Sequence, residues 1–145
     1  MTRIEFHHGA HDKIEVARRL TVDCLQQGRR VVLYSQDAHL RGLLDRQLWI
    51  QPALSFLPHV DANSPLAAET PAVLAGDLDR LPHDDVLVNL DADVPPGFQR
   101  FRALIEVVGQ DESDRVPARD RYRFYRERGY EIESIALGQG GGNDR

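Results

Sequence analysis

A single cysteine, Cys24, excludes an intramolecular disulfide. It stands in an apolar segment with Leu20 and Leu25 and reads as a packed core thiol. No apolar run approaches the ~20 residues that a membrane span needs. The opening Met1-Thr2-Arg3-Ile4-Glu5-Phe6 is too short and too charged for a secretory leader. The expected location is therefore the cytoplasm. A basic surplus is also missing: the formal net charge is −5, the wrong sign for a protein that coats nucleic acid through its phosphates, although a local basic patch is compatible with it. Nucleotide motifs are missing as well. The first loop, His7-His8-Gly9-Ala10-His11-Asp12, holds one glycine where a dinucleotide fingerprint has three, and no Gly-Lys-Ser/Thr follows for a P-loop.

What remains is an ordinary globular composition, 41% hydrophobic and 28% charged over 145 residues, the size of one domain. Strands are expected at 4–6, 30–34, 85–90, 104–108 and 130–137. Helices are expected at 12–27, from the Ser35-Gln36-Asp37 cap to Trp49, and from Glu112 to the stop at Gly129. Residues 55–59 read as a short edge strand or extended loop, 61–70 as a surface loop, and 71–75 as another edge strand. Pro95-Pro96-Gly97 precedes a helical turn at 98–101. Strands alternating with helices imply an α/β fold: a single Rossmann-like three-layer domain over 1–137 with a mostly parallel central sheet. The Gly-rich tail, 138–145, is too poor in apolar residues to pack and is expected to be disordered.

Catalytic chemistry has few places to reside. His7 and His11 are four apart, which suits a metal on a regular helix. Here they straddle a strand-to-helix turn, and no cysteine pair completes a set with His8. No metal is expected. His59 and His83 stand among prolines and read as surface groups. Asp91 and Asp93 follow the 85–90 strand, where α/β enzymes place a general acid/base or Mg²⁺ pair. Asp91-Ala92-Asp93-Val94-Pro95-Pro96 is also ordinary turn chemistry, and that reading is favoured.

The unusual segment is 118–130, with five arginines and four aromatics in thirteen positions. On a helix, Arg119, Tyr122, Arg123 and Arg126 share one stripe. Ala118 and Tyr125 lie beside Tyr122 on the side that turns to the sheet, and Arg121 and Arg128 point elsewhere. Cations along an aromatic wall suit an acidic peptide with an apolar anchor. They suit single-stranded nucleic acid equally, and a solvated charged face is the bland alternative. Trp49 is either a core edge or the wall of a groove. Phe56, Leu57 and Pro58 form a second apolar candidate on a sheet edge that a partner can cover.

Gln47-Leu48-Trp49 followed by Ser55-Phe56-Leu57-Pro58-His59 resembles the helix end and the Ser-Phe-x-Pro-His element of the chi subunits of bacterial DNA polymerase III holoenzyme (HolC family). Residues 85–90 look like the central strand of that family. Residues 118–130 are similar to its Ala-Arg-x-Arg-Tyr/Trp-(Lys/Arg)-x-Tyr-Arg-x-x-Gly-aromatic helix. The resemblance runs to about Leu137. It implies a Rossmann-like fold with no catalytic site and no cofactor, acting as an accessory subunit in DNA replication. It implies one surface for the psi subunit of the clamp loader, or for a DinG-like helicase, with Phe56, Leu57 and Pro58 assigned there. A second surface would bind the acidic, phenylalanine-ending C-terminal tail of single-stranded DNA-binding protein (SSB). Residue by residue, that site would comprise Trp49, Arg119, Tyr122, Arg123 and Ser134, and the stripe adds Arg126. Arg123 stands where the family often has lysine, and Ser134 where threonine can occur. Two readings compete with the adaptor: a small nucleotide- or metal-dependent enzyme using Asp91 and Asp93, and a direct single-stranded DNA binder. The adaptor reading expects no tight binding to naked DNA.

Overall fold

The computed structural model describes residues 1–50, 59–79 and 81–137. The described strands are β1 (Arg3–Ala10), β2 (Val31–Tyr34), β3 (His59–Asp61), β4 (Ala72–Ala75), β5 (Val86–Asn89), β6 (Ala103–Gly109) and β7 (Ile132–Ala136). The helices are α1 (Lys13–Gln26), α2 (Ala38–Ile50) and α3 (Glu112–Glu127). All strands join one sheet in the order β3-β4-β2-β5-β6-β1-β7, and every pairing is parallel. This is an α/β, Rossmann-like three-layer architecture. Strands β2, β4, β5 and β6 are buried along their whole length, as the largely apolar strands of a parallel sheet covered on both faces are.

Alternation along each strand divides the core in two. Ala103, Ile105 and Val107 of β6 face one side, with Leu44 and Leu48 of α2 and Val16, Ala17 and Cys24 of α1. Leu104 and Val108 face the other, with Phe6 of β1 and Ala118 and Tyr125 of α3. Helix α1 starts on Asp12, whose carboxylate accepts from the N–H groups of Ile14 and Glu15. Helices α1 and α3 stop at Gly28 and Gly129, whose φ angles of 78° and 86° lie in the left-handed region.

Several expectations need correction. Residues 72–75 are not an edge strand, because β4 lies between β3 and β2. Strand β1 runs on to Ala10 with a register shift between His7 and Ala10, so part of the expected first loop is strand. The 61–70 loop contains the end of β3 and a 3₁₀ turn at Ala67–Glu69. His59 is no surface group: its side chain is fully buried and its Nε2 lies 3.1 Å from the Asp45 carboxylate. His83 is half-buried. Residues 55–58 and the tail lie outside the described residues.

Candidate functional site

Helix α3 lies across β6 and β7, and its rotation is set from below. Glu106 interrupts the apolar run of β6 and is fully buried on the α3 side. Its Oε1 accepts from Arg121 Nε at 2.9 Å and from Asn89 Nδ2 at 3.0 Å, and its Oε2 accepts from Tyr125 Oη at 2.6 Å. Arg121 also donates to the Ala92 carbonyl at 2.7 Å. Arg121 thus points into the molecule, which neither sequence pattern nor family resemblance indicated. Burial pushes the Glu106 carboxyl up, against the opposing pull of Arg121, Tyr125 and Asn89. Burial and the neighbouring Glu106 hold Tyr125 protonated. A paired and fully bonded buried charge of this kind fixes geometry more than it adds stability.

With Arg121 and Tyr125 anchored inward, the neighbouring side chains open onto a groove of about 600 Å³ between α3 and β7. Its apolar floor is Phe6, Val108, Ala118 and Tyr122. The Tyr122 ring meets Phe6 edge-on with centroids 5.4 Å apart. Arg115, Arg119, Arg123 and Arg126 line the α3 side, and Ser134 and His8 line the strand side. Arg119 lies 3.8 Å from Glu112, and Arg123 3.3 Å from Asp120, with every one of these side chains more than half exposed. Pairs this exposed contribute little, so an incoming acid can replace them at small cost. Arg126 makes no ion pair among the described residues.

The structure therefore brings Arg119, Tyr122, Arg123, Arg126 and Ser134 together around one groove. Trp49 sits at the end of α2, which packs on the opposite face of the sheet against α1, β3 and β4. Its side chain, like Phe56, Leu57 and Pro58, lies outside the described residues. Sequence reasoning missed Phe6, His8, Val108 and Arg115. Arg115 was findable, because it stands four residues before Arg119 on the same stripe.

The other candidates separate in space. The Asp91 carboxylate accepts from Ser35 Oγ at 2.6 Å and from the Gln36 N–H at 2.8 Å, while Asn89 donates to the Asp93 carbonyl at 3.2 Å. The Asp91 carboxylate thus serves the local chain path, whereas Asp93 is held there through its backbone and its side chain is exposed. His7 lies 2.9 Å from Glu5, whereas His8 opens on the groove beside α3 and His11 on the crevice between the starts of α1 and α3. In that crevice, where α/β sheets commonly hold a phosphate, the Asp114 carboxylate already takes the Gly109 N–H, and Lys13 Nζ lies 3.1 Å from it. Among the described residues, no cluster of three or more His, Cys, Asp or Glu is placed to hold a metal ion.

A family model described as "DNA polymerase III chi subunit, HolC" matches residues 1–133, ending one residue before Ser134. A DNA polymerase III subunit chi from Pseudomonas aeruginosa is 34% identical over 141 residues, covering 94% of this chain and 98% of its own length. The subunit chi of Haemophilus influenzae is 25% identical over 125 residues, covering 86% and 87%. That of Escherichia coli is 28% identical over 110 residues, covering 75% of each.

Proposed function

The chain belongs to the DNA polymerase III chi subunit family, and on that premise we propose that it is a non-catalytic adaptor that binds the acidic C-terminal tail of SSB in the α3 groove. The observation that carries this reading is the coincidence of an apolar floor with a row of exposed arginines in one cavity. The tail offers aspartates, an aromatic ring and an α-carboxylate. Phe6, Val108, Ala118 and Tyr122 offer a seat for the ring. The arginines draw in the acids, and a guanidinium fork matches a carboxylate through two hydrogen bonds. One such contact is weak, but a strand coated with SSB presents many tails and raises the local concentration.

The second surface would tether the chain to the clamp loader through psi, or to a DinG-like helicase, by way of Phe56, Leu57 and Pro58. Helix α2 leads directly into that segment. Trp49, which closely precedes that segment in the sequence, would belong to this second surface. The adaptor would act in the cytoplasm with the replication apparatus. In keeping with that location, no helix among the described residues is long and apolar enough to cross a membrane.

The test is a titration against an oligonucleotide alone, with full-length SSB, and with tail-deleted SSB. Binding only in the presence of the tail is expected, and Arg119→Ala or Arg123→Ala should weaken it by roughly tenfold or more, as for a charge-assisted contact. Equal binding to tail-deleted SSB would sink the assignment. Tight binding to the naked oligonucleotide would favour the direct DNA-binding reading instead.

A further inference from the structure

Strand β7 is the last strand of the sheet and has β1 as its only neighbour among the described residues. The direction of its backbone groups follows from register. The Leu137 N–H donates to the His8 carbonyl at 2.9 Å, and Ala136 stands opposite His8. On the other side of β1, the Arg3 N–H donates to the Arg102 carbonyl at 3.0 Å. In a parallel ladder the N–H and C=O of one residue point the same way, and alternate residues point opposite ways. Ile4, Phe6 and His8 therefore bond to Glu133, Ile135 and Leu137. The N–H and C=O groups of Ile132, Ser134 and Ala136 face outward from the sheet.

Those outward groups lie between two grooves. On the α3 side is the arginine-lined groove, with Ser134 in its wall. On the α1 side is a second groove of about 440 Å³, whose apolar lining includes Val16, Leu20, Ile135 and Leu137. An extended chain laid along β7 would send successive side chains alternately into the two. Ser134 belongs to both features, for its side chain lines the arginine groove and its backbone forms the free edge. A peptide seated on the groove floor would therefore pass alongside N–H and C=O groups that have no strand partner among the described residues.

We propose that the acidic tail binds by adding a strand to the free edge of β7. Alternate tail residues then face Arg119, Arg123 and Arg126, and the residues between them face Ile135 and Leu20. The inference rests on the tail-binding reading and specifies its geometry. Main-chain hydrogen bonds supply part of the affinity, the arginines select an acidic occupant, and the added strand covers an exposed sheet edge.

The test scans a synthetic SSB tail peptide with one backbone N-methyl group at a time, against the unmodified protein. Only half of the amides of an added strand face β7. Affinity should fall by roughly threefold to tenfold at every second position and stay nearly constant between, as expected for the loss of single hydrogen bonds. Losses without alternation, with the parent peptide still binding, overturn the added strand and leave the tail reading intact. No binding by the parent peptide overturns both. A second arm compares Ser134→Pro with Ser134→Ala at equal melting temperature. Proline removes an outward N–H that the sheet does not use, and should weaken binding severalfold beyond alanine. Equal affinities would count against the proposal.

Discussion

Glu106 is a charged residue with none of its surface exposed, in a strand that otherwise reads Leu-Ile and Val-Val around it. Its burial is tolerable because Arg121, Tyr125 and Asn89 occupy its lone pairs. Removing one partner leaves a buried charge uncompensated, and Arg121→Met should cost about 3–5 kcal/mol in urea unfolding. The penalty should also depend on pH. Unfolded, the Glu106 carboxyl has its ordinary value of 4.5, and burial raises it in the folded chain. A raised folded value means that the folded state holds the proton more tightly. The stability this contributes is full below the unfolded value and is lost as pH rises through the folded one. Without Arg121 the carboxyl moves further up, so that loss grows. The gap between Arg121→Met and the unmodified protein should widen as pH rises above the unfolded value of 4.5. Glu106→Gln in the same chain should remove the widening. A gap constant with pH would show that Arg121 acts by packing alone.

At the scale of elements, what was legible follows the range of the physics. Helix periodicity is local, so the stripe of Arg119, Tyr122, Arg123 and Arg126 could be drawn from spacing alone. Stops at Gly28 and Gly129 are local too. Strand order is not local: the apolar run Ala72–Ala75 is compatible with burial on both faces but does not name the strands it lies between. The face of the sheet on which Trp49 stands is likewise set by strand order, not by local pattern. From β1 to β2 and from β2 to β3 the chain moves one way across the sheet, and from β6 to β7 it moves the other way. Right-handed crossovers then place α1 and α2 on one face and α3 on the opposite face. A residue on α2 cannot wall a groove beside α3 unless the order differs. Trp49→Ala should consequently leave tail-peptide affinity within about twofold, while Arg123→Ala lowers it roughly tenfold. Isothermal titration of both variants checks this, and a large loss in Trp49→Ala would argue against the face assignment.

For the whole molecule, sign and place of charge work against each other. The chain carries −5 overall, yet α3 sets Arg115, Arg119, Arg123 and Arg126 along one groove. The Debye length at physiological salt is about 8 Å, so a short tail in the groove meets those cations, while the acidic body beyond them is largely screened. A long bare strand must lie along the body as well, where its phosphates meet a surplus of carboxylates. Charge distribution alone thus favours a short acidic tail over bare DNA. The arginines are exposed, so their attraction is screened in turn, whereas the apolar floor is indifferent to moderate salt. Tail-peptide affinity should fall severalfold between about 50 mM and about 300 mM salt without vanishing. Arg119→Ala should bind more weakly at low salt and lose less as salt rises, so that the two titration curves converge. Parallel curves would mean that Arg119 contributes packing rather than charge, and an affinity independent of salt would leave the apolar seat as the sole source of binding.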